Sequence, residues 1–361
     1  MKAFVRDCRA LLLWLAGLAV FFAVYFPLRS CKTAMNWLCS RVILPLEQWL
    51  GGLCGVTSVS VAEVLILSGL CAALFYLAWQ VRCLITRPRR RLRVCRVLLA
   101  VLCALLSVYA GFCLMWGVFY GADSFQDKSG LTARGGTAEE LAALTRQYAE
   151  ELSALSDQVS RDENGCFAVS RRDIFAFAPH AYDGLVQEFD CLSLPRTAPK
   201  AFVSSRAMSA LDFTGFYFPF TGEANVNTDS PSAFLPATVC HEMAHQRGIT
   251  AEEECNFIGI LAAIRSDCAA YRYSGWLTGF GYLSNALYSA DRDAWQIIRD
   301  SLPETVVADL RADNAYWSQF RGTVSQLSDK VYDGFLKSNG DADGAKSYGV
   351  VTDLLVAYFG A

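Results

Sequence analysis

The chain has three histidines, His180, His241 and His245, and two of them stand four residues apart around a glutamate in "CHEMAH". On an α-helix, positions i and i+4 lie on one face about one turn apart, so His241 and His245 can share one divalent ion. Glu242 projects beside that face, where a carboxylate can take a proton from water that the ion polarises. The surrounding helix is small or apolar (Ala237, Val239, Cys240, Met243, Ala244), as suits a buried site, and Gly248 supplies its stop. The chemistry of this set is metal-assisted hydrolysis, and imidazole with carboxylate ligands makes zinc, one ion per chain, the first choice.

A catalytic zinc takes three protein ligands and keeps a fourth position open. His180 stands 61 residues upstream in "FAPHAYDG". The nearer source is "TAEEECNF". Thr250 and Glu253 have the spacing of a capping box that would start a second helix. Glu252 falls in its first turn and Asn256 one turn on, on the same face. Glu252 is thus the expected third ligand, and Asn256 the residue placed to hydrogen-bond a ligating imidazole. Glu254, roughly opposite Glu252 on that helix, stays open as an alternative ligand. The acidic run also has a plain reading as a first turn favoured by the helix dipole. "GEANVNTDSP" reads as an extended strand beside the cleft, able to pair with a substrate peptide. "AAYRYSGWL" offers Tyr271, Arg272 and Tyr273 to stabilise an oxyanion, with Tyr273 preferred.

The rest of the chain must position this set. Hydrophobic residues make up 53% of 361, charged residues 19%, and mean hydropathy is +0.27, values that point to a membrane protein. Three apolar runs, at about 10–28, 59–81 and 94–120, have the length to cross a bilayer. Residues 1–120 carry thirteen Lys/Arg against three Asp/Glu, and residues 121–361 nineteen against thirty-two. The basic residues gather at the ends of apolar runs, which membrane orientation explains without nucleic acid. Seven arginines at 82–96 make that loop cytoplasmic by the positive-inside rule. The N-terminus is then cytoplasmic too, and residues 121–361 extracytoplasmic. The first run lacks a cleavage site and reads as a retained anchor. Between the first two runs, "NWLCSRVILPLEQWLGGLCG" is amphipathic with Trp37 and Trp49, as an interfacial segment would be.

Residues 137–160 read as an amphipathic helix, 195–227 as loop and short strands, and the region after Pro236 as mostly helical. The closing "SYGVVTDLLVAYFGA" is too short for a fourth span. Fourteen cysteines without a CxxC pair give no cysteine zinc site or disulfide framework, and a single Cys166–Cys191 bridge stays open.

HExxH followed by "ExExN" resembles the gluzincin pattern, and "EEECN" is similar to the E-x-x-A-D element of the Ste24/HtpX/Oma1-type membrane metallopeptidases, with Asn256 in place of Asp and Cys255 in place of Ala. Over most of its length the chain more closely resembles the bacterial membrane family called domain of unknown function 3810. The three N-terminal runs, "YFPFTGEANVN", "CHEMAHQRGI", "EEECNF" and "RYSGWL" carry that resemblance, which implies a zinc site without an assigned substrate.

The expected architecture is therefore three N-terminal transmembrane helices (domain 1–120) plus a mostly helical α+β zincin-like extracytoplasmic domain (121–361). The expected activity is a membrane-anchored metallopeptidase with His241, His245 and Glu252 on zinc and Glu242 as general base. Its expected partners are the lipid bilayer and a peptide or membrane-proximal protein substrate. The alternatives are a non-catalytic metal-binding sensor or binding protein, marked by a closed four-ligand site, and a hydrolase of a non-peptide envelope amide, marked by a cleft without an edge strand.

Overall fold

The computed structural model describes residues 6–86, 90–339 and 348–360 and divides into two compact units. One comprises Met1–Glu47 and Val61–Ala122, the other Gln48–Ser60 and Asp123–Ala361. A single cut near residue 120 therefore does not describe the chain, because residues 48–60 go with the second unit.

In chain order the first helices are α1 (Arg9–Arg29), α2 (Lys32–Leu38), α3 (Leu44–Cys54), α4 (Val61–Thr86) and α5 (Arg90–Phe112). A wider turn at Cys113–Gly117 prolongs α5. Among the described residues, three helices are long and apolar enough to cross a membrane: α1, α4 and α5 with its extension, at mean hydropathies of 2.3, 2.1 and 2.6. At 1.5 Å per residue the 21 residues of α1 reach about 31 Å, the thickness of a hydrocarbon core. The second helix starts at 61 and runs to 86, and the third runs from 90 to 117, overlapping the apolar runs expected at about 59–81 and 94–120. α1 closes on Arg29, α4 carries Arg82 near its end and α5 opens on Arg90 and Arg91, whose long stems tolerate the boundary. Arg87 and Arg89 of the arginine loop lie outside the described residues. Trp14 Nε1 donates to Ser107 Oγ at 2.8 Å, and the Phe22 and Tyr109 rings stack at 5.5 Å, which ties α1 to α5.

The second unit is mostly helical around one small sheet. It continues with α6 (Phe125–Ser129), α7 (Ala138–Leu155), α8 (Arg171–Phe177), β1 (Lys200–Phe202), α9 (Ser205–Ala210), β2 (Gly215–Phe218) and β3 (Glu223–Asn227). Then follow α10 (Leu235–His245), α11 (Glu252–Ile264), α12 (Ala269–Ala290), α13 (Arg292–Asp300), α14 (Glu304–Ser318), α15 (Thr323–Asn339) and α16 (Tyr348–Phe359). A capping box between Thr137 and Glu140 opens α7. Its periodic Leu141, Leu144, Tyr148, Leu152 and Leu155 are buried, with Tyr148 edge-on to Trp276 of α12 at 4.4 Å. The closing apolar run is α16, whose Val351, Leu354, Leu355 and Val356 join this core.

The sheet order is β1-β3-β2, with β1 parallel and β2 antiparallel to β3. The strand in "GEANVN" is therefore central and buried along its length, and both its edges are taken. It cannot accept a further chain; β2 is the edge beside it. Cys166 and Cys191 are free thiols, so the bridge left open above is not formed.

Candidate metal centre

Pro236 stands in the first turn of α10, where a missing N–H leaves no hydrogen bond unmade. At the other end, Gly248 adopts φ 77°, a left-handed conformation that favours glycine, and turns the chain back. The turn brings the Ile249 carbonyl to His245 Nδ1 at 2.8 Å. A ring that donates through Nδ1 keeps the Nε2 lone pair for a ligand, so this loop orients the imidazole. Cys255 supports the same corner, with Sγ 3.3 Å from His245 Nδ1 and donating to Ile249 O at 3.4 Å.

The returning chain enters α11 at Glu252 with Ala251 in the cap position and no side-chain cap. The Thr250–Glu253 capping box is thus corrected: Thr250 sits one residue too early, and three glutamates in the first turn complement the helix dipole instead. α10 and α11 approach closely because residue 259 is glycine. A Cβ there would come 2.8 Å from His241 N and 3.0 Å from its Cα. Gly275 plays the same part where α12 meets α11, 2.9 Å from Ile260 O and Ile264 N.

This crossing gathers His241, His245 and Glu252, with one ligand atom of each within 4.8 Å of the others. His241 Nε2 lies 3.3 Å from Glu252 Oε2, and His245 Nε2 lies 3.7 Å from Glu252 Oε1. Tetrahedral ligands held about 2.1 Å from one zinc stand about 3.4 Å apart, so the donor set and its spacing fit that ion. The Asn256 side chain hydrogen-bonds His241. Tyr332, from α15, donates to Glu252 Oε1 at 2.5 Å.

Glu242 is buried beside the cluster, and its Oε2 has no hydrogen-bond partner among the described residues. Burial lifts its carboxyl to about 8. Burial also pushes at Glu252, but His245, His241 and the Tyr332 hydroxyl outweigh it and hold that carboxyl at about 2. Burial lowers His245, whereas for His241 the hydrogen bond and charge of the carboxylates overcome burial and raise it. Two carboxylates in one pocket are thus pushed apart, one poised to exchange protons and one fixed as an anion. Gly215 of the edge strand β2 lies against Glu242, where a Cβ would come 2.3 Å from Oε1.

Other residues singled out by sequence lie elsewhere. Glu254 accepts from Phe125 N at 2.8 Å and Gln126 N at 3.1 Å, capping α6, so its carboxylate is engaged away from the cluster. Tyr273 donates to Asp309 Oδ2 at 2.5 Å, with Arg161 over its ring and Phe167 stacked on it, in the core. Tyr271 donates to Ile174 O, and Arg272 to Ser266 O. His180 pairs with Asp183 at 3.1 Å in an exposed turn. Sequence reasoning missed Tyr332, Gly215 and Gly259, since nothing local marks residues whose role is set by a partner far along the chain.

Residues 41–356 match the model of a family described as a protein of unknown function (DUF3810). No curated protein and no solved structure matches the chain.

Proposed function

The chain belongs to the family of proteins of unknown function DUF3810, and from its site we propose that it is a membrane-anchored zinc metallopeptidase with a zincin-like, gluzincin-type centre. The observation that carries this reading is the buried, unpartnered Glu242 carboxylate beside the His241–His245–Glu252 cluster. His241, His245 and Glu252 would hold the zinc, with Asn256 and Tyr332 orienting the ligands. Bound there, the metal supplies Lewis acidity to a water and to the substrate carbonyl at neutral pH.

The chain's own groups do the rest. Glu242 Oε2 takes a proton from the attacking water and passes it to the departing amine nitrogen, a role suited to a carboxyl poised near neutrality. β2 is an edge strand that runs past Glu242, so an extended peptide can pair with it and bring its carbonyl to the site. That edge favours a peptide over a compact envelope amide. The cluster offers three side chains among the described residues, which favours an open position over a closed sensor site. Positive-inside arginines support an extracytoplasmic site.

The test is an unbiased peptide-library digest with the purified full-length chain. Wild type should cut, and both Glu242→Gln and chelated wild type should not. Cleavage that survives Glu242→Gln would count against the mechanism.

A further inference from the structure

Residues 48–60 belong to the second unit, yet they run directly into a membrane-crossing helix: Ser60 precedes Val61, the first residue of α4. Buried Lys200 fixes this segment against the sheet. Its Nζ pairs with Glu223 and donates to the carbonyls of Cys54 and Val59 at 2.7 and 2.8 Å. Ser60 Oγ donates to Asn225 Oδ1 at 2.6 Å, and Asn225 is the residue opposite Lys200 in the β1–β3 register. Gly51 of α3 lies against the β2–β3 turn, where a Cβ would come 2.7 Å from Gly222 O.

The outward side of the same segment is apolar. Trp49, Leu53, Val56 and Val59 are 60%, 51%, 88% and 53% exposed, and Phe220 of the adjoining β2–β3 turn is 36% exposed. Exposed apolar side chains gathered on one short segment mark a partner, and a tryptophan among them suits the lipid–water boundary. We infer that Trp49, Leu53, Val56, Val59 and Phe220 form a lipid-contacting face of the second unit. The bilayer is the occupant because chain continuity delivers it: Val59 is two residues from the start of α4.

The metal centre lies close to this face. Gly215, against Glu242, is five residues from Phe220 of this face, at most about 18 Å of extended chain. The polar zone of a bilayer adds roughly 5–7 Å on each side. An extended polypeptide covers the sum in about seven residues. Resting on the hydrolytic reading above, the face makes the substrate a polypeptide cut within about ten residues of the end of a membrane span.

The experiment uses the full-length chain in phosphatidylcholine–phosphatidylglycerol vesicles that contain a lipid with a diazirine near its headgroup. After irradiation, labelled peptides are mapped by mass spectrometry. Label is expected on 49–59 and on Phe220 as well as on the three apolar helices; label confined to the helices overturns the lipid face. The zinc-loaded chain is then given two single-span substrates in the same vesicles. One carries a fixed twenty-residue segment next to its span, the other carries it beyond a thirty-residue Gly-Ser spacer. Cuts are expected within about ten residues of the span in both. Cuts that move outward with the segment overturn the substrate class and leave the lipid face standing. With lipid label in place, no cut in either substrate overturns the hydrolytic reading and the substrate class together.

Discussion

Gly259→Ala tests whether the α10–α11 crossing builds the centre. The added Cβ would stand 2.8, 3.0 and 3.2 Å from His241 N, Cα and Cβ, against an ordinary contact of 3.4–4 Å. Two of those three atoms are backbone, so no side-chain rotation relieves the overlap. The helices must separate by roughly 0.5–1 Å, and overpacking of that kind costs about 1–3 kcal/mol. In a unit of this size each kcal/mol moves Tm by about 2–4 °C, giving a drop of about 2–12 °C. The same movement opens the 3.3 Å approach of His241 to Glu252, and zinc affinity should fall by about tenfold or more. The assay is thermal unfolding with and without zinc, beside a chelator competition for affinity. Gly281→Ala, with nothing within 4 Å of its Cβ, is the control and should change neither quantity for the worse. If Gly259→Ala melts and binds zinc like wild type, the crossing does not set the ligand geometry.

Tyr332→Phe removes the hydroxyl that donates to Glu252 Oε1 and should weaken zinc binding about 10- to 100-fold in the same competition assay; unchanged affinity would remove Tyr332 from the centre. Gly215→Ala forces Glu242 aside, since the three atoms nearest the added Cβ all belong to that side chain, so zinc content should hold and peptide turnover should fall by about 10²-fold, measured by metal analysis and a peptide assay side by side. Burial raises Asp313 from 3.8 to about 6, against a hydrogen bond from Trp317 Nε1. A carboxyl raised on folding disfavours the folded state once ionised, so stability from this group is present below about pH 4 and lost as pH rises to about 6. After screening at this partly exposed site the loss is about 1–2 kcal/mol, and Asp313→Asn should raise Tm at pH 7 but not at pH 4.

The part of the centre that one helix encodes was legible in sequence. His241, Glu242 and His245 share a face by spacing alone, and Glu252 with Asn256 repeats that logic one helix later. Tyr332 reaches Glu252 from 80 residues away, and no periodicity connects them. Spacing does not separate Tyr271, Arg272 and Tyr273 as oxyanion donors, and burial beside Arg161 and Asp309 binds Tyr273 into the core. The apolar runs were visible because about twenty apolar residues have few other uses. The union of residues 48–60 with the second unit was not, since it depends on Lys200 and Asn225, which lie beyond five further helices. Gly215 and Gly259 read as ordinary loop and helix glycines until the atoms beside them are seen.

The central claim is met most directly by bound metal per chain, measured on purified wild type, Glu242→Gln, Glu252→Gln and Glu254→Gln. The account predicts one zinc in wild type, in Glu242→Gln and in Glu254→Gln, and its loss in Glu252→Gln. A wild-type chain that holds no metal after zinc is supplied, or a Glu252→Gln chain that keeps it, contradicts the account.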